Sequence, residues 1–301
     1  MSTALVVDGK VYVIDCGRSA VTQYRRAGLP FAQLQAMFIT HLHADHIADY
    51  YNFFQLGGGT LPAIIEGLDG PVPVYGPGPA GGLQPAFGGK PVPLTNPENP
   101  TPGLAELTRR CVEAYAYSNN VFMRDSGLPD TSAMPDVHEI RVPDVGASFT
   151  HTAPACEPFE VMRDEHVRVT ATLVPHGPVF PAFAYRFDTK YGSVTFSGDT
   201  KESENLVTMA RDTDVLVHEA VNLEGSNLPR VSKDHMLSSH VPVQNVGAIA
   251  QRADAKMLVL SHIIDFAEPT IDEGKWMGWG RRGYGGRVVI GRDLQSLVVA
   301  D

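Results

Sequence analysis

The sequence predicts an α/β fold, because short strand-like runs and helix-like stretches alternate along most of the chain. The strand-like runs are rich in β-branched residues and bounded by Gly, Pro or polar turn residues, at 11–15, 36–40, 72–75, 167–174, 183–187, 193–197, 215–218, 257–261, 287–291 and 296–300. The helix-like stretches carry apolar residues at spacings of three and four, at 18–28, 46–56, 103–124, 202–211 and 241–253. Mixed segments of this kind favour helices packed on the faces of sheets.

The length predicts one large domain over residues 1–301, interrupted by an insertion at about 77–165. This insertion is rich in Gly and Pro, and only 103–124 within it has a regular pattern. A long irregular segment inside a compact domain usually covers a site or contacts a partner.

The charge balance favours a small substrate. The formal net charge is −10, from 24 basic against 34 acidic residues, and no Lys/Arg-rich run is present. Because neutralisation of phosphates supplies most non-specific affinity for nucleic acids, we expect no nucleic-acid partner.

The chain also lacks the sequence features of a membrane or exported protein. No apolar run reaches about 18 residues, and the N-terminus lacks the layout of a secretory signal. The cysteines Cys16, Cys111 and Cys156 are odd in number and widely spaced, which predicts free thiols. We therefore expect a cytoplasmic protein without membrane contact, unless an export segment has been removed.

Three histidines and an aspartate form the strongest motif. His41, His43, Asp45 and His46 follow a strand-like run directly and open a helix-like stretch, so they occupy a loop. Imidazole and carboxylate are ligands of zinc, manganese and iron, and a loop can direct them to two centres. Burying these four groups together without a metal would be costly, which makes a chance cluster an unattractive alternative.

Three further residues of the same types end predicted strands. His176 follows 167–174, Asp199 follows 193–197 and His262 follows 257–261. Each of these residues alone would be weak evidence for a metal site, but their order along the chain strengthens the interpretation.

Together these segments resemble the metallo-β-lactamase superfamily, in particular its ribonuclease Z-like and arylsulfatase-like branch. The resemblance implies a four-layer αββα sandwich. It implies two metal ions, zinc with manganese or iron as alternatives, one held by His41, His43 and His176 and the other by Asp45, His46 and His262, with Asp199 bridging. The metal-bridging hydroxide would attack an ester, which makes the expected activity that of a metal-dependent hydrolase.

The resemblance also implies supporting and catalytic residues. Asp15 would support the ligand loop by accepting an imidazole N–H, although an Asp that caps a turn is an equal alternative. His240, paired with Glu219, would protonate the leaving oxygen. His218 and the ligand Asp45 complete the predicted catalytic set.

Two departures separate the chain from transfer-RNA-processing ribonuclease Z. Only 22 residues lie between His176 and Asp199, too few for that family's RNA-binding arm, and the Arg-Tyr signature after the final His is absent. The short spacing and the Val-Tyr-Gly-Pro segment at 74–77 are similar to the arylsulfatase-like members. We therefore expect a small aryl or alkyl phosphodiester or sulfate ester as substrate.

Other interpretations stay open at this point. A lactone or carboxylic ester would suit the same metals, and a redox di-iron protein or a non-catalytic scaffold are less favoured alternatives. A homodimer is a further expectation. Aromatic residues near the ligands in sequence are candidates for a pocket, with core packing as the alternative: Phe180, Phe183, Tyr185, Trp276 and Trp279, the last two in a predicted Gly-rich loop.

Overall fold

The structure is a computed structural model that describes residues 1–58, 66–86 and 89–299. It is a mixed α/β protein with two sheets, and it divides into two compact units. Unit 1 comprises Met1–Ala80 and Thr101–Arg141, and unit 2 comprises Gly81–Pro100 and Val142–Asp301. The prediction of a single domain stays a prediction.

Unit 1 contains a five-stranded sheet in the order β1-β2-β3-β4-β5. The first pair is antiparallel and the others are parallel. The strands are β1 (Thr3–Val7), β2 (Lys10–Ile14), β3 (Leu34–Phe38), β4 (Val72–Pro77) and β5 (Pro135–Ile140). The helices are α1 (Ala20–Arg26), α2 (Ala44–Ile47), α3 (Tyr50–Gly57) and α4 (Leu104–Ser126), with 3₁₀ turns at Phe31–Gln33 and Thr131–Ala133.

The apolar core of unit 1 lies between its sheet and its helices. Val13, Met37 and Val74 from neighbouring strands are buried together with Phe53 and Phe54 of α3. α3 is short, but its aromatic residues recur at helical spacing and so present one broad apolar face. This packing fixes the loop between β3 and α2, which carries the histidine motif.

Unit 2 contains a seven-stranded sheet in the order β12-β11-β10-β9-β8-β7-β6. The strands from β9 to β12 are parallel, and the others pair antiparallel. The strands are β6 (Phe159–Arg163), β7 (Val167–Leu173), β8 (Phe183–Thr189), β9 (Gly192–Phe196), β10 (Val215–Asn222), β11 (Met257–Asp265) and β12 (Arg287–Ile290). The helices are α5 (Glu204–Met209), α6 (Arg230–Ser239), α7 (Val243–Arg252) and α8 (Glu273–Gly280).

The packing of α7 against the end of α8 and the residues that follow it requires a glycine. A Cβ atom at Gly247 would lie 2.4 Å from the carbonyl oxygen of Gly280 and 2.5 Å from that of Arg282. Only a residue without a side chain allows so close an approach of two backbones. Val246, Ile249 and Ala250 of α7 are then buried against β10 and β11.

The structure contains regular elements that the sequence patterns did not predict. β1 forms a hairpin with β2 through Asp8 and Gly9, both at positive φ, and this Asp-Gly turn is a signal that could have found it. β5 and β6 lie inside the predicted irregular insertion as edge strands, whose patterns are only half-buried. α6 and α8 were also missed. Of the predicted strand at 296–300, residues 296–299 are not a strand and residue 300 lies outside the described residues.

Within the described residues, no helix combines the length and apolar character that crossing a membrane demands.

Candidate metal centre

The histidine motif of unit 1 forms one compact cluster. It begins after β3 and continues into α2. The ring centroids of His41 and His43 are 4.6 Å apart, and those of His41 and His46 are 4.1 Å apart. Asp45 Oδ2 lies 3.6 Å from His46 Nε2. All four predicted ligands of this unit therefore lie close together.

Asp15 holds this loop in place, as the resemblance implies. Its carboxylate accepts hydrogen bonds from the backbone N–H and the hydroxyl of Thr40, both at 2.8 Å, and from His46 Nδ1 at 2.7 Å. Asp15 and His46 are both buried. With Nδ1 donating to a carboxylate, Nε2 of His46 is the nitrogen that carries a lone pair for a metal.

Unit 2 brings its three predicted ligands together at the carboxyl ends of its strands. Asp199 Oδ2 lies 3.5 Å from His262 Nε2 and 4.0 Å from His176 Nε2. His176 Nδ1 donates to the carbonyl oxygen of Ser239 at 2.8 Å, which leaves its Nε2 as the ligand atom. Ser239 was not singled out from the sequence, because a contact to a backbone carbonyl leaves no signal in residue type.

The predicted pair of His240 and Glu219 lies beside these ligands. His240 Nδ1 is 3.2 Å from Glu219 Oε1, which also accepts from the backbone N–H groups of Val241 and Thr200 at 3.1 and 3.3 Å. Burial raises the pKa of the Glu219 carboxyl, and the hydrogen bond from His240 opposes that rise. His240 Nδ1 is also 4.0 Å from Asp199 Oδ2. The pair is therefore held in direct reach of the candidate centre.

His240 has a competing interpretation as a ligand. His176, Asp199 and His240 each offer one ligand atom, and these atoms lie within 4.8 Å of one another. The hydrogen bond to Glu219 would orient the imidazole in either role. Proton transfer and metal binding by His240 predict different dependences of the rate on the leaving group.

His218, the other predicted catalytic histidine, lies fully buried in the sheet of unit 2. Its Nδ1 donates to the carbonyl oxygen of Glu219 at 2.6 Å. Burial lowers the pKa of His218 from 6.5 to about 4, so the imidazole is neutral at neutral pH. A direct catalytic role for His218 stays a prediction, and the contact to its neighbour's carbonyl indicates a structural one.

The depressed pKa of His218 predicts a loss of stability in acid. Below the unfolded pKa of 6.5 the unfolded chain binds a proton that the folded protein excludes until about pH 4. This group should therefore lower the free energy of unfolding by about 3 kcal/mol between pH 6.5 and pH 4. Urea unfolding of the metal-free protein across this range measures the loss.

Comparison of variants assigns that loss to His218. His218→Asn keeps a donor near Nδ1 and removes the titration, so its stability should depend less steeply on pH than that of the wild type. His138→Asn, at a half-exposed histidine, is the matched control and should leave the slope unchanged. Equal slopes for the wild type and His218→Asn would contradict the assignment.

The predicted aromatic pocket residues are mostly core residues. Phe183, Tyr185 and Trp276 are fully buried, and Trp279 packs partly buried against the same cluster as Trp276. The prediction that the Trp pair lies in a loop is wrong, since both residues are in α8. The glycines of this stretch hid the helix, although Asp272, whose side chain accepts from the N–H of Lys275, is a recognisable helix cap.

Comparison with known proteins places the chain among metallo-β-lactamase-fold proteins. The family model described as Anti-Pycsar protein Apyc1 matches residues 2–50. A curated Ribonuclease Z from Mycobacterium bovis (strain BCG / Pasteur 1173P2) is 26% identical over 305 residues, covering 99% of this chain and 91% of its own. One from Mycolicibacterium paratuberculosis is 27% identical over 301 residues, with the same coverage. These names describe ribonucleases, which conflicts with the expectation of no nucleic-acid partner.

Solved structures agree on the fold over nearly the whole chain. The short form of human tRNase Z matches with a TM-score of 0.62 at 19% identity, covering 99% of this chain and 92% of its own. The metallo-β-lactamase fold protein YhfI from Bacillus subtilis matches with a TM-score of 0.61 at 16% identity, covering 97% and 88%. The predicted fold class and the predicted resemblance are confirmed. The chain therefore has the metallo-β-lactamase fold, and its sequence is similar to that of curated ribonuclease Z proteins.

Proposed function

We propose that this protein is a metal-dependent hydrolase that cleaves a small phosphodiester or sulfate ester. The observation that carries the proposal is the hydrogen-bonded pair of His240 and Glu219 next to Asp199, His176 and His262. A metal centre alone serves many chemistries. A buried acid–base pair at its edge is what an ester with a basic leaving oxygen requires.

The proposed ligand residues suit two transition-metal ions such as zinc. The proposed ligands are His41, His43, Asp45, His46, His176, Asp199 and His262, in the assignment that the resemblance implies. Imidazole nitrogens predominate and no oxygen-rich shell of the kind that calcium or magnesium prefers is available among them. Manganese and iron are the alternatives that this chemistry allows. When bound, such metals supply an activated water and a Lewis acid for the oxygen under attack.

Glu219 and His240 would divide the work of proton transfer. The Glu219 carboxylate accepts three hydrogen bonds from its surroundings, so its position is fixed. Accepting from Nδ1, it orients the ring and leaves Nε2 as the nitrogen that can transfer a proton to a leaving oxygen. The side chain of His240 is 11% exposed, so a substrate bound at this edge of the sheet can contact it.

The segment between His176 and Asp199 supports a small substrate. It consists of β8 and β9, which form a hairpin with a two-residue connection, and the loop that precedes β8. All of it is described, and it contains no extension that could wrap a folded RNA. The net charge of −10 also opposes binding of a long polyanion.

Cleavage of RNA is the second candidate, because the curated relatives named Ribonuclease Z align with 99% of this chain. At 26–27% identity, the catalytic centre can be retained while the means of binding the substrate has changed. The same centre would then cleave a phosphodiester of RNA. A lactone or carboxylic ester is the remaining hydrolytic alternative.

A substrate panel separates these candidates. Protein depleted of metal and reloaded with zinc should hydrolyse bis-p-nitrophenyl phosphate or p-nitrophenyl sulfate, and the depleted protein should not. A precursor transfer RNA and a set of lactones complete the panel. Activity on the transfer RNA alone, or on lactones alone, would overturn the proposed substrate class. Elemental analysis showing two redox-active irons and no hydrolysis of any substrate would favour the di-iron alternative.

A further inference from the structure

A β-bulge in the sheet of unit 2 determines the direction of His262. β10 and β11 pair up to Glu219 opposite Ser261 and resume with Ala220 opposite Ile263, so His262 is the additional residue. Its φ is 45°, in the left-handed region, which is costly for a residue with a Cβ atom. Bulges next to functional sites redirect one side chain, and this one brings His262 to Asp199.

Among the described residues, the bulge lies where β11 pairs with β10 and no longer with β12. The ladder with β12 ends at Leu260 opposite Ile290, and the pairing described for residues 261–265 is with β10. A strained conformation persists only where its surroundings hold it. The contacts beyond the bulge must therefore fix the end of β11.

Asp265 makes those contacts. Its Oδ1 accepts hydrogen bonds from Asn222 Nδ2 at 3.0 Å and from the backbone N–H groups of Ala267 and Glu268 at 2.9 and 3.1 Å. Its Oδ2 accepts from Trp276 Nε1 at 3.1 Å. One carboxylate thus joins the end of β10, the turn after β11 and helix α8.

The network suits a carboxylate and no other side chain. Burial raises the pKa of Asp265, but the hydrogen bonds from Asn222, Trp276 and the backbone outweigh it, and the pKa lies below its ordinary value. All four donors need an oxygen lone pair. An amide at this position would present its own N–H groups to one side of the network, and donors facing donors are destabilising.

We propose that Asp265 is a positioning residue for the metal centre, holding His262 in the bulged conformation in which its imidazole can bind a metal. The inference rests on the proposed function, since it concerns the ligand geometry of that site. The hydrogen bonds of Asp265 join it to Asn222, Trp276 and the backbone after β11, so it acts on His262 indirectly. Its effect should therefore appear in metal affinity first and in turnover as a consequence.

Titration of the metal-free protein with zinc by calorimetry tests the proposal. We expect two sites in the wild type. In Asp265→Asn, one site should weaken about tenfold or more while the other keeps its affinity, the range found when residues that support metal ligands are removed. The activity lost by this variant should return when the zinc concentration is raised, which a general folding defect would not allow.

Asp214→Asn is the matched control. Asp214 also accepts several hydrogen bonds, from the N–H of Ser193 and from Lys256, but it precedes β10 at the opposite end of the strand. This variant should lose stability and keep both zinc affinities. Asn222→Ala removes the link to β10 alone, so it should weaken the same site by a smaller factor and serves if Asp265→Asn does not fold.

The outcomes distinguish the inference from the function on which it rests. If the wild type binds two zinc ions and Asp265→Asn and Asn222→Ala bind both with unchanged affinity, the positioning role is wrong and the hydrolase proposal stands. Equal weakening in Asp214→Asn would also overturn the positioning role. A wild type that binds no zinc, manganese or iron would overturn both.

Discussion

Replacement of Asp199 by Asn is expected to lower activity strongly while leaving the metal-free protein folded. Asp199 is the only carboxylate among the ligands proposed in unit 2, and it lies within 4.0 Å of His176, His240 and His262. Loss of its charge should release metal and lower kcat/KM about 10³-fold, equal to about 4 kcal/mol of transition-state stabilisation. Hydrolysis of bis-p-nitrophenyl phosphate and metal content per chain measure both effects.

The stability of the metal-free variant separates loss of function from loss of fold. Burial is the larger cause of the raised pKa of the Glu219 carboxyl. Charge repulsion from the nearby Asp199 raises this pKa further. Removing the charge relieves that repulsion, so unfolding of metal-free Asp199→Asn should differ from the wild type by no more than about 1 kcal/mol. Asp188→Asn, on β8 in the same sheet, is the control and should retain metal and activity. Full activity in Asp199→Asn would refute the proposed ligand set.

The close approach of the candidate ligands within each unit could be predicted from the sequence because their signals are local. His41, His43, Asp45 and His46 lie within six positions, and His176, Asp199 and His262 each follow a recognisable strand. Parallel strands carry such residues to one edge of a sheet, so chain order and residue type were sufficient. The contact of Asp15 with an imidazole, here His46, is what the resemblance implied, and its contact with Thr40 was not predicted.

What the sequence did not predict depends on contacts between distant segments. The role of Ser239 rests on a backbone carbonyl, and that of Asp265 on donors from three separate elements. The bulge at His262 is a change of register, which alternation of apolar residues within one strand does not reveal. The helix containing Trp276 was hidden because its three glycines have low helix propensity and tertiary burial of the indole stabilises it.

His218 and Glu219, both in the predicted catalytic set, have different surroundings in the structure. His218 and Glu219 are consecutive in β10, so their side chains point to opposite faces of the sheet. The resemblance placed both residues in the catalytic set. In the structure, Glu219 is the one that accepts a hydrogen bond from His240. Alternation along the strand could have indicated this difference once β10 was recognised.

His240→Ala is expected to affect substrates according to their leaving group. If His240 protonates the departing oxygen, an ester of a poor leaving group such as phenol or methanol should lose about 10² to 10⁴-fold in kcat. A p-nitrophenyl ester releases p-nitrophenolate, a stable anion, and should lose less than about tenfold in kcat. Glu219→Gln, which weakens the hydrogen bond that orients the His240 ring, should show the same dependence to a smaller degree. Steady-state kinetics with a series of substituted phenyl esters gives the slope directly.

The competing role of His240 as a ligand predicts a different pattern. Loss of a ligand would lower activity on all esters by a similar factor and reduce the metal content, because every substrate depends on the same metals. His166→Ala removes another histidine that is paired with a glutamate, Glu165, at 3.1 Å, but lies at the turn between β6 and β7 and should change neither slope nor metal content. A steep dependence on the leaving group with metal content unchanged would assign proton transfer to His240, since only a group that acts on the departing oxygen distinguishes one leaving group from another.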